Sequence, residues 1–130
     1  MAGQHFRRAI GITPLNTFFR VDYAEFLSDH GDLENAQYEL EQAASIDPWA
    51  TSLQSSIGGM FERKGMFKEA EIRYRRAIEL SGISPQAYID LGRVLEAQGK
   101  KDEAINAYKD ALKLKSDYTP AQEAVKRLEK

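Results

Sequence analysis

Few residues in this chain are of the kind that carries chemistry, and their spacing decides against most of it. There are two histidines, His5 and His30, and no cysteine. The absence of cysteine excludes a disulfide framework and a thiolate zinc site, and two distant imidazoles make a poor metal site. The glycines of "SIGGMFERKGMF" suggest a phosphate-cradling turn at first sight. Their spacing is helical, however, and no strand precedes them, as a nucleotide-binding turn requires. Neither a Gly-x-Ser-x-Gly elbow nor a His-Glu-x-x-His pair occurs. The sequence therefore predicts a non-enzymatic protein with no catalytic residue, no cofactor and no metal ligand. His30 is expected to be exposed near a helix end, and His5 to be exposed in the opening segment.

Charge is the other resource for recognition, and it is unevenly placed. The formal net charge is −2, yet residues 17 to 50 carry one base, Arg20, against eight acids. Nucleic-acid binders usually present a basic face, so no nucleic-acid partner is expected. No apolar run approaches a membrane span of roughly 18 residues, and "MAGQHFRR" lacks the apolar stretch of a signal peptide. The expectation is a soluble chain without direct membrane insertion, its compartment unassigned. With 130 residues, 42% apolar and 29% charged, it has the composition of a folded domain and not of a disordered segment.

The elements that must position these side chains announce themselves by repetition. Gly31, Gly65 and Gly99 stand 34 apart, and Ala36, Ala70, Ala104 and Ala43, Ala77, Ala111 follow each glycine at fixed distances. Leu40, Tyr74 and Tyr108 hold a further column, and Tyr23, Ile57 and Leu91 another. Within one period the apolar residues fall at helical spacing on both sides of the glycine, which predicts a pair of helices per unit. The glycine suits the left-handed turn between them. Small residues at Gly92 and Ala104 mark the place where paired helices approach closely.

In these columns the sequence resembles the tetratricopeptide repeat family. Its pattern is met by Tyr88, Leu91, Gly92, Leu95, Ala104, Tyr108 and Ala111, and by the corresponding residues of two earlier units. Departures are few: Gly82 and Ser116 replace a closing proline, and Lys101 sits where an apolar residue is usual. The resemblance implies an all-α fold, a right-handed solenoid of antiparallel helix pairs forming one continuous domain. Its expected divisions are residues 1–16 as the second helix of a truncated unit, 17–50, 51–84 and 85–118 as full units, and 119–130 as a C-terminal capping helix. The cap should turn Ala121, Val125 and Leu128 inward.

The resemblance also implies a concave groove lined by first helices, free of core duty and used to bind a peptide or helical segment of a partner protein. By register it nominates Phe18, Val21, Asp22, Glu25 and Asp29 from the first unit. The second contributes Ser52, Ser55, Ser56, Gly59 and Arg63, and the third Gln86, Ile89, Asp90, Arg93 and Ala97. Glu123 and Arg127 close the end. Chaperone-binding members grip a C-terminal carboxylate with lysines, an arginine and asparagines. The corresponding Val21, Glu25, Ser56, Gln86 and Asp90 do not form that clamp. The acidic first wall favours a peptide whose basic end lies toward the N-terminal half. Trp49 is expected to pack across a junction between units. Two other readings remain: a regulatory or assembly tail of a larger protein, such as an enzyme or a bacterial envelope protein, and a homo-oligomer formed through the helix bearing Phe6 and Ile10.

Overall fold

The computed structural model describes residues 17 to 130. The expectations that fall on residues 1 to 16, including the half unit with His5, Phe6, Arg7, Arg8 and Ile10, lie outside the described residues. Among those described there are seven helices and no strand. They are α1 (Thr17–Asp29), α2 (Leu33–Ile46), α3 (Thr51–Arg63), α4 (Phe67–Leu80), α5 (Pro85–Ala97), α6 (Lys101–Leu114) and α7 (Thr119–Leu128). Each helix packs most extensively on its hairpin partner, α1 on α2, α3 on α4 and α5 on α6, and less extensively on the next pair. Such neighbour-only packing is the mark of a helical-repeat array.

The turn within each pair is set by one glycine. Gly31, Gly65 and Gly99 have φ of 81°, 75° and 78°, in the left-handed region that side chains with a Cβ rarely adopt. Bonds from Asp32, Met66 and Lys100 N–H back to the carbonyls of Leu27, Phe61 and Leu95 close the three turns. The second helix then starts at once. Asp32 caps α2 by accepting from the Asn35 N–H, while Asp102 and Glu103 place negative charge in the first turn of α6. Lys101 is exposed at the start of α6, so this column tolerates its charge.

Ala36, Ala43, Ala70, Ala77, Ala104 and Ala111 are completely buried, as close helix packing demands. Around them Leu40, Ile57, Phe61, Tyr74, Leu91, Leu95 and Tyr108 form one continuous core. The final helix buries Ala121 and Ala124, and rests Val125 and Leu128 half-buried on the same core. Successive pairs are also stitched along the turn side. Lys64 donates to Gln37 Oε1 at 2.7 Å, and Gln98, one period later, donates to Glu71 Oε1 at 2.9 Å.

Trp49 corrects the sequence expectation, because it is 74% exposed and does not pack across the junction. Ala50 N–H bonds to Asp47 C=O and closes a turn that aims its third residue at solvent. Ile83, one period later, is exposed as well.

Candidate functional site

The first helices α1, α3, α5 and α7 are neighbours along one face, and two of the three junctions on that face are fastened in the same way. In the α3/α5 junction, Gly58 lies beneath the ring of Tyr74. A Cβ added there would sit 2.8 Å from a ring carbon, so only glycine lets the tyrosine pack this close. The Tyr74 hydroxyl consequently reaches one helical turn further and donates to Glu62 Oε1 at 2.8 Å. Glu62 in turn accepts two bonds from the Arg93 guanidinium of α5, at 2.5 and 2.9 Å. The α5/α7 junction repeats this arrangement. Gly92 lies beneath Tyr108, whose hydroxyl donates to Glu96 at 2.5 Å, and Glu96 accepts from Arg127 at 2.9 and 2.7 Å.

These contacts set the protonation of the groups involved. The Arg93 bond holds the Glu62 carboxyl below the usual carboxylate range against the opposing effect of burial, and the Tyr74 hydroxyl adds to it. Glu96 is likewise lowered, first by Arg127. Both tyrosine hydroxyls are pushed up, by burial first and then by the adjacent carboxylate. Arg93 and Arg127 are raised by their glutamate partners. All six groups thus stay in one charge state across the physiological range and serve as fasteners, with no proton to exchange.

The α1/α3 junction lacks this fastening. Ala24, Ser28, Leu40 and Gly59 occupy the columns that hold glycine, glutamate, tyrosine and arginine in the other two. A cleft of about 390 Å³ opens there between α1 and α3. Its apolar lining comes from Val21, Ala24, Leu40 and Met60, and Glu25, Asp29 and Arg63 are its charged lining residues. Arg63 donates to the Ser28 hydroxyl. None of Asp22, Glu25 and Asp29 forms an ion pair among the described residues. A second and more open hollow of about 510 Å³ lies between α5 and α7, where Glu96, Tyr108 and Arg127 are already bonded to one another.

The nominated groove positions therefore divide. Val21, Glu25, Asp29, Ser56, Gly59 and Arg63 gather around the first cleft. Ile89, Arg93, Ala97 and Arg127 meet at the second hollow. Asp22 and Ser55 are half-buried, Ser52 and Glu123 are exposed, and none of these four lines either cavity. The side chain of Phe18 lies outside the described ones.

Ile89 departs from the expectation of freedom from core duty. It is only 8% exposed and belongs to the core cluster, and it shares the second hollow with Pro120 and Ala124 of α7. The polar residues of the C-terminal half are mutually engaged. Arg93 also bonds Asp90, Gln86 donates to Asp90 at 3.0 Å, and the Tyr118 hydroxyl donates to Gln86 at 2.5 Å. Register counting passed over Ser28, Leu40, Met60, Glu62 and Glu96 as site residues. For the two glutamates a signal was present, in the recurrence of Glu62 with Glu96 and of Arg93 with Arg127 at 34 residues.

Among the described residues no group of three His, Cys, Asp or Glu is placed to hold a metal ion. None of the described helices is long and apolar enough to cross a membrane. Hairpin pairs stacked in series, with first helices exposing one shared face, define an all-α helical-repeat protein of the interaction-scaffold kind. The chain belongs to the tetratricopeptide repeat family, whose model matches residues 51–117, about half of its length.

Human "Tetratricopeptide repeat protein 7A" is 28% identical to it over 115 residues, which cover 88% of this chain and 13% of that protein. "Tetratricopeptide repeat protein 36" of Xenopus tropicalis is 30% identical over 95 residues, covering 70% of this chain and 47% of that protein. The chain thus spans less than half the length of either relative. Among solved structures, MamA superposes with a TM-score of 0.89 at 21% identity, over 98% of this chain and 74% of that one. The first tetratricopeptide domain of Spaghetti (RPAP3), bound to the HSP90 peptide SRMEEVD, gives 0.80 at 19% identity, over 87% and 90% of the two chains. At these identities the likeness concerns the fold alone.

Proposed function

We propose that the chain is a non-catalytic scaffold whose inner face holds a peptide or helical segment of a partner protein, with the basic end of that segment against α1. One observation supports this reading above the others. The cleft between α1 and α3 brings together six positions nominated for the groove, and its acids Glu25 and Asp29 form no ion pair among the described residues, Arg63 being bonded to Ser28. Charge of one sign left unpaired along a groove favours a partner of the opposite sign and speeds its arrival. The peptide on the Spaghetti domain carries two glutamates and an aspartate. The polarity proposed here is opposite at the N-terminal end, because Glu25 of α1 stands among the positions where a carboxylate clamp would need cations.

The joint variant Asp22→Asn, Glu25→Gln, Asp29→Asn tests the proposal. Partner affinity at low salt should fall by at least tenfold, and the dependence of affinity on ionic strength should flatten. Unchanged affinity with an unchanged salt slope would overturn the assignment of the basic end to α1.

A further inference from the structure

The α1/α3 cleft differs from the other two junctions in four columns at once, and the four changes are physically coupled. Leu40 lacks the ring and hydroxyl that Tyr74 and Tyr108 extend beneath the face, so a carboxylate one turn away would have no donor there. Ser28 replaces that carboxylate, and Gly59 replaces the arginine that would otherwise reach across to it. Ala24 restores only one methyl group of the lost volume. The result is a space with apolar walls, open to the groove and bordered by unpaired acids.

We infer that this cleft is a side-chain socket that receives a bulky apolar side chain of the partner peptide, with lysine or arginine as its neighbour in the peptide. The inference rests on the groove-binding reading above and specifies which feature of the peptide is selected. Val21, Ala24, Leu40 and Met60 supply walls for a leucine-sized group, and a cleft of about 390 Å³ falls within the roughly 300 to 1,000 Å³ typical of ligand sites. Glu25 and Asp29 stand where the adjacent cation would meet them. Arg63 donates to the Ser28 hydroxyl, which also lines the cleft, and Glu25, Asp29 and Arg63 together give the lining a net charge of −1. The fastened hollow at α5/α7 has no equivalent offer, because it holds no unpaired acid: Glu96 is paired with Arg127, and Arg93 with Glu62.

Four fluorescein-labelled peptides of about twelve residues test this. They share one glycine-serine frame and carry Leu-Arg, Ala-Arg, Leu-Glu or Ala-Ala at the centre, and each is titrated by anisotropy. The Leu-Arg peptide should bind at least tenfold more tightly than the other three. Methyl-labelled methionine supplies a local readout, since Met60 lines the cleft and Met66 lies outside it in the α3–α4 turn. On binding, the Met60 methyl signal should shift and the Met66 signal should hold still.

The variant Ala24→Gly, Ser28→Glu, Leu40→Tyr, Gly59→Arg copies the fastening of the other junctions into the first. It should keep or raise the melting temperature and weaken Leu-Arg binding at least tenfold. If it does not fold, the Met60 signal of the unsubstituted chain decides alone. Equal affinity for all four peptides, with the Met60 signal unmoved, would sink the socket and leave groove binding standing. No change in anisotropy with any of the four peptides would overturn both.

Discussion

The first junction of the inner face and the two that follow are built on one period yet solve different problems. At α3/α5 and α5/α7 a tyrosine packs on a glycine, a glutamate joins it one turn on, and an arginine from the next pair closes the chain of bonds. At α1/α3 the same positions hold residues that make none of these bonds, and the face opens into a cleft. Stacking therefore does not require the fastening, since core alanines and leucines hold the first two pairs together without it. The fastening ties the polar groups of the face to one another, and its omission leaves an apolar-walled cleft whose acids are unpaired among the described residues.

Changes that disturb the shared core should have the largest effects and should not distinguish the junctions. Ala104→Leu inserts three carbons where an alanine is wholly buried, and overpacking of that kind costs roughly 1 to 3 kcal/mol. Ala70→Leu should behave alike, because Ala70 is equally buried. Urea unfolding monitored by circular dichroism measures both. A midpoint unchanged by either substitution would break the helix-pair packing on which the comparison stands.

A smaller effect separates the junctions. Gly92→Ala would normally favour a helix by about 1 kcal/mol, but the new Cβ would lie 2.5 Å from the Tyr108 ring. The net result should be a loss of about 1 to 2 kcal/mol. Adding Tyr108→Leu reproduces the alanine and leucine of the first junction, Ala24 and Leu40, and removes the clash. The alanine should then cost less in the double variant than alone, with a coupling on the order of 1 kcal/mol in a double-mutant cycle. Simple additivity would show that tyrosine and glycine in these columns are not a matched pair.

Much of this was legible in the sequence because the repeat period acts on backbone and core. The glycine column required a left-handed turn and the alanine columns required close contact, and Gly31, Gly65, Gly99, Ala36, Ala70 and Ala104 fulfil both. What escaped reading depends on contacts across units. Ile89 is buried because α7 lies beside it, which no periodicity inside α5 reveals. Arg93 and Arg127 looked available, yet their glutamates stand 31 residues earlier, a distance between units that helix spacing alone does not reveal. Trp49 was misplaced because large apolar residues usually seek cover, whereas its turn points it at solvent.

The smallest effect belongs to the ion pairs, and pH exposes it. Arg93 and Arg127 side chains are 47% and 58% exposed, so solvent screening limits each pair to about 1 kcal/mol or less. Folding lowers the pKa of Glu62 and Glu96 below an unfolded value near ~4.3. Their contribution is therefore complete above that value and disappears as pH falls through the lower folded value. Glu62→Gln should lower stability by a constant amount from about pH 6 to 8, and its deficit relative to the unsubstituted chain should shrink as the solution is acidified below about pH 4. Ser28→Ala at the unfastened junction should show no such convergence, because Ser28 carries no ionisable group. Parallel melts of the two variants across this range test the contrast directly. A deficit for Glu62→Gln that persists unchanged at the acid end would mean that its carboxylate charge contributes nothing to fastening the junction, leaving Tyr74 and Gly58 to do so by packing alone.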